Sequence, residues 1–69
     1  MDLNIGDIIQ ISEINYIITS FNEHIAYGKK FEEKNSDVTG LYSLRFLDSH
    51  LKTGIIKIIS TNQNYELWI

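Results

Sequence analysis

Ile8 and Ile9 stand side by side, and in an extended chain successive side chains point to opposite faces. A strand over Asp7 to Ser12 therefore sets Ile8 against Ile9 and Ile11. The next apolar stretch behaves alike: within Tyr16 to Phe21, Tyr16 and Ile18 oppose Ile17 and Phe21. Neither strand has a face made for water, so both sides need cover. A small curled antiparallel sheet or a closed five-stranded barrel supplies it. The chain has 69 residues, which suits one small barrel-like domain over 1–69 and is too few for two. It has no cysteine, so no disulfide or thiolate metal site reinforces a core that supplies only ~3–5 kcal/mol at this size.

The remaining elements follow from turn residues and periodicity. Ser12 to Asn15 reads as a turn between the first two strands, and Asn22-Glu23-His24 as the polar link to a third. That third strand, Ile25 to Glu32, alternates: Ile25, Tyr27, Lys29 and Phe31 share the face assigned to the core, and Ala26, Gly28, Lys30 and Glu32 the face assigned to solvent. Glu33 to Thr39 is polar and reads as a loop. Tyr42, Leu44 and Phe46 alternate like a strand, yet Leu41, Leu44, Leu47 and Leu51 recur at helical spacing ahead of Gly54, a C-terminal stop. The spacing predicts one short helix over about Tyr42 to Lys52. Ile55 to Ser60 and Tyr65 to Ile69 read as strands around the turn Thr61 to Asn64. The expected order is βββαββ, a mainly β fold at the border of α+β.

Composition narrows the class. Hydrophobic residues make up 43% of the chain and charged ones 22%, which predicts a folded globular unit. No apolar run approaches the ~20 residues of a membrane-spanning helix, and Met1 to Asn4 lack the basic and apolar blocks of a secretory signal. The expected location is the cytoplasm of a bacterium or of an infected host cell. Isoleucine dominates the apolar set, valine and alanine occur once each, at Val38 and Ala26, and Arg45 is the only arginine. An AT-rich genome produces that skew, and with the small size it suggests a phage or another mobile element.

Ile5-Gly6-Asp7-Ile8-Ile9-Gln10-Ile11, followed by Asn15-Tyr16-Ile17-Ile18-Thr19, resembles the opening hairpin of small SH3-like barrels of the KOW type, where a Gly-Asp pair precedes the first strand. The likeness covers roughly the first twenty residues. A helix ahead of two further strands is closer to the element order of an OB-fold. Either resemblance implies a binding surface on a barrel face or in its loops.

Catalytic and metal patterns do not emerge. His24 and His50 are the only histidines and are far apart in the chain, whereas zinc and iron sites show closely spaced ligands. Asp48-Ser49-His50 holds the letters of a hydrolase triad, but neighbours on a helix point about 100° apart and cannot converge on one atom. Gly6, Gly28, Gly40 and Gly54 are isolated, so no phosphate loop forms. The expectation is a protein that is not an enzyme and takes no cofactor or metal.

The formal net charge is -3, and Asp2, Asp7, Glu13 and Glu23 meet no lysine or arginine before Lys29. Such a segment could steer the chain to a basic protein surface. Trp68 and Glu66 lie opposite Tyr65, Leu67 and Ile69 on the last expected strand, where a tryptophan on an open edge suits a partner or a homodimer seam. Lys29, Lys30, Phe31 and Arg45 form an alternative nucleic-acid set, with lysines beside an aromatic ring. Long-range repulsion between an acidic protein and phosphate disfavours it. The leading expectation is a non-enzymatic protein-interaction module that binds and inhibits or modulates a host protein, with defence proteins among the candidates, and without contact to membrane.

Overall fold

The computed structural model describes residues 3–31, 33, 35 and 37–61. Among these residues five antiparallel strands form one sheet with a single helix: β1 Ile8–Ile11, β2 Ile14–Phe21, β3 Ile25–Lys30, β4 Thr39–Ser43, α1 Leu44–Thr53 and β5 Lys57–Ser60. The spatial order is β4-β3-β2-β1-β5. The mainly β fold with one short helix is as the sequence predicts. Of the two forms expected, the curled sheet is found; among the described residues β4 and β5 are its edges, and the sheet is not closed into a barrel.

The expected element order βββαββ needs correction before the helix: over the described residues the order is ββββαβ, with a fourth strand ahead of α1. The additional strand, β4, begins inside the segment read as a loop and takes in Tyr42, which had been placed in the helix. The last expected strand, Tyr65 to Ile69, lies outside the described residues. The helix starts two residues late because Ser43 caps it, its Oγ accepting the Phe46 N–H at 3.1 Å, while Leu44 N–H donates to the His24 carbonyl of the neighbouring loop at 2.8 Å. It ends at Gly54, whose φ of 82° is the left-handed stop and whose N–H donates to Leu51 O at 3.3 Å.

Local chemistry sets the hairpins. Ile11 pairs with Ile14, which leaves Ser12 and Glu13 as a two-residue turn rather than the longer one expected. Their φ values of 51° and 69° give it the mirror-image form that matches strand twist, at a steric cost because neither residue is glycine. Between β2 and β3, Asn22 Oδ1 accepts the N–H groups of His24 at 2.8 Å and Ile25 at 2.7 Å.

Three bulges curl the sheet. Ile18 pairs with Gly28 and Ser20 with Tyr27, so Thr19 is an extra residue in β2. Ala26 faces both Leu41 and Tyr42, and Ile59 is the extra residue of β5 between the pairs Ile9 with Ile58 and Ile8 with Ser60. Each bulge adds local twist, which explains strong curvature without closure.

Burial is two-sided, as the isoleucine doublets require. One face of the sheet sets Ile9, Ile11, Ile18 and Ala26 against Leu47 of α1, with Leu3 and Ile56 closing the ends. The row Ile8, Ile17 and Lys29, aligned across three strands, is buried on the opposite face. In β3 the expected faces are exchanged. Ala26 and Gly28 point to the core under α1, while Ile25 and Tyr27 are only half-buried. The reason is close approach: a Cβ on Gly28 would lie 2.3 Å from the Ile17 carbonyl oxygen, so the chain passes there only as glycine. No helix of the described residues is long and apolar enough to cross a membrane.

Candidate interaction surface

The acidic segment does not form a patch. Asp7 is fully buried and is part of the entry turn: its Oδ2 accepts the Asn4 N–H at 2.8 Å, and its backbone carbonyl accepts the Ile18 N–H at 2.9 Å. Glu13 sits on the tip of the first hairpin, and Glu23 follows the far end of β2, eight residues away. At about 3.3 Å per residue they are ~25 Å apart, beyond two Debye lengths at physiological salt. Asp2 lies outside the described residues, as do Glu66 and Trp68.

The lysine and aromatic set is divided too. Lys29 is only 6% exposed and cannot be offered to a phosphate. Lys30 is exposed and lies 4.0 Å from Glu33, while Phe31 is half-buried, its N–H donating to Asn15 O at 2.8 Å. Arg45 is on α1, beside the loop that precedes β3, whereas Lys30 ends β3. The two exposed cations therefore belong to opposite ends of a strand.

What the fold does bring together is an aromatic ladder that the sequence reading passed over. Tyr42 at the end of β4, Phe46 and His50 are spaced four apart, and their rings stack in one column along α1. Tyr42 and Phe46 have centroids 4.7 Å apart at 19°, and Phe46 and His50 are 4.0 Å apart at 24°. Tyr42 is 41% exposed and Phe46 36%, so the column is on the surface. His50 Nδ1 lies 2.9 Å from the Phe46 carbonyl oxygen. A carbonyl only accepts, so Nδ1 carries the hydrogen of this bond. Arg45 is exposed on the same helix, and Lys52 is held by Asp48 at 3.2 Å.

The stacking decides what this surface can touch. Ring faces cover one another within the column, so only its two outermost faces are open to a nucleobase. A column that carries a hydroxyl at one end and an imidazole at the other suits a protein surface. The signal for the ladder was in the sequence: Tyr42, Phe46 and His50 share helical spacing one position away from the leucine stripe of Leu47 and Leu51.

Two open hollows flank the helix and its strand. One, of about 420 Å³, is lined by Tyr16, Lys30, Thr39, Leu41 and Tyr42 among others, and the second, of about 710 Å³, has Leu51, Ile56 and Ile58 between Lys52 and Lys57. Among the described residues no three histidine or carboxylate side chains gather as a metal site would need. Compared with protein-family models, with curated proteins and with solved structures, the chain matches none.

Proposed function

We propose that the chain is a non-enzymatic protein-interaction module that occludes or modulates another protein, and that Tyr42, Phe46 and His50 are its contact surface. The carrying observation is the exposed three-ring stack, held by a capped helix at the margin of the sheet. Aromatic side chains are enriched where protein interfaces concentrate their binding energy, and a ladder already stacked in the free molecule loses little side-chain entropy on binding. Among the described residues both edge strands carry a bulge, at Leu41 and Tyr42 in β4 and at Ile59 in β5. Bulged edges are poor templates for strand addition, which favours contact through side chains over contact through the backbone. The reading of the partner as a host protein of an AT-rich bacterium is supported by composition alone.

The test is capture on immobilised protein from a lysate of a low-GC bacterium, wild type beside Phe46→Ala, with bound proteins identified by mass spectrometry. The expected result is a specific set retained by the wild type and lost by the variant. Equal retention by both, with the variant folded by circular dichroism, refutes the assignment of the surface. Salt-sensitive retention of RNA or DNA instead would move the protein to a nucleic-acid role.

A further inference from the structure

The hollow of about 710 Å³ lies between the last turn of α1 and β5 and opens onto the core. Ile56 within it is buried, and Leu51 and Ile58 are half-buried and pack against the core cluster. The same stretch of chain carries exposed apolar surface, Ile55 being 67% exposed and Ile59 51%. A cleft of this volume can enclose several side chains, and bare isoleucines around an apolar floor mark a surface that is to be covered. We infer that the occupant of this hollow is the chain's own segment Tyr65-Glu66-Leu67-Trp68-Ile69.

The described residues stop at Thr61, three residues beyond Ile58 of the hollow. From Thr61 to Tyr65 is ~13 Å of extended chain, as long as the four residues of β5, which is enough to turn back beside that strand. Four of the five side chains in the segment are large and apolar, and each gains by leaving water for an apolar hollow. The fifth is Glu66, and the hollow lies between Lys52 and Lys57. Asp48 already holds Lys52 at 3.2 Å, so Lys57 is the charge there without an ion pair among the described residues. Tethering favours this occupant over a separate molecule, because so short a link keeps the segment at an effective concentration in the millimolar range. Docked there, Trp68 serves the chain's own core instead of a seam with a partner. Tyr42, Phe46 and His50 line no part of this hollow, so the ladder stays open beside the docked segment.

Trp68 is the only tryptophan and the chain has no cysteine, so intrinsic fluorescence and a single-site label both read the segment cleanly. The measurement is Trp68 emission of the full chain, folded and in urea, with the fold followed by circular dichroism. The expected emission of the folded protein lies to the blue of the unfolded one and is unchanged on dilution. A nitroxide attached at Lys52→Cys, beside the hollow, should quench most of that emission. The same label at Glu23→Cys, next to the opposite end of α1 and ~15 Å away along the helix, should leave it nearly intact. Emission that is the same folded and unfolded overturns the inference, since Trp68 then stays in water. Blue-shifted emission quenched no more from Lys52→Cys than from Glu23→Cys overturns it as well, the segment being docked elsewhere. A blue shift that is lost on dilution also overturns it and assigns the hollow to the segment of a second copy.

Discussion

Replacing Gly28 with alanine drives a methyl carbon into the backbone of the neighbouring strand. The added Cβ would meet Ile17 O at 2.3 Å, Ile17 C at 3.2 Å and Leu41 Cδ1 at 3.0 Å. Ordinary contact begins near 3.4 Å, so the oxygen is about 1.1 Å too close, and it is a main-chain atom that no rotamer change can withdraw. β2 and β3 must separate locally, beside the Thr19 bulge, where the ladder is already interrupted. Overpacking of this kind costs ~1–3 kcal/mol, and weakening one buried ladder bond adds about 1 kcal/mol. The sum, ~2–4 kcal/mol, is comparable with the whole stability of a domain this small. At ~4–8 °C per kcal/mol, the midpoint of thermal unfolding by far-ultraviolet circular dichroism should fall by at least ~8 °C. Gly40→Ala is the control, since its Cβ would find Tyr27 Cε1 at 3.6 Å and nothing nearer, and it should change stability by less than about 0.5 kcal/mol. A Gly28→Ala protein melting within about 3 °C of the wild type would refute the close-approach argument.

Leu47 is the one helix residue that is fully buried, so Leu47→Ala removes the deepest contact of α1 with the core and leaves only the part-buried Leu44 and Leu51. It should cost ~3 kcal/mol and leave much of the chain unfolded in buffer, read as a collapsed urea midpoint; an unchanged midpoint would show that α1 does not close the core. Ser12→Asn with Glu13→Gly supplies the residues preferred in a two-residue turn with positive φ at both positions, and should raise stability by about 1 kcal/mol. A lower melting temperature in that double variant would mean that the turn has another form.

Several features were legible because they depend on neighbours in the chain. The isoleucine doublets demanded two buried faces and received them, at Ile9 and Ile18 on one side and Ile8 and Ile17 on the other. Gly54 was legible as a helix stop, and the leucine spacing as a helix, because both act within one or two turns. The aromatic column was only half legible. Its rings have helical spacing, but Phe46 was first weighed in a strand-like alternation, and nothing local shows that Tyr42 ends a strand while still stacking on the helix.

Chain chemistry alone thus determined the class, a small β-rich unit with a single helix, since strand and helix periodicity and capping are short-range effects. Only the tertiary structure decided which face of β3 is the inside. Three bulges shift the register, and Gly28 must pass against the Ile17 carbonyl, so small residues took the core side and Lys29 was drawn under cover. It likewise separated acids that are neighbours in sequence, because a strand of eight residues holds its two ends apart. Charge read along a chain ignores that rigid spacing, which is why the acidic segment dissolved and an aromatic column emerged.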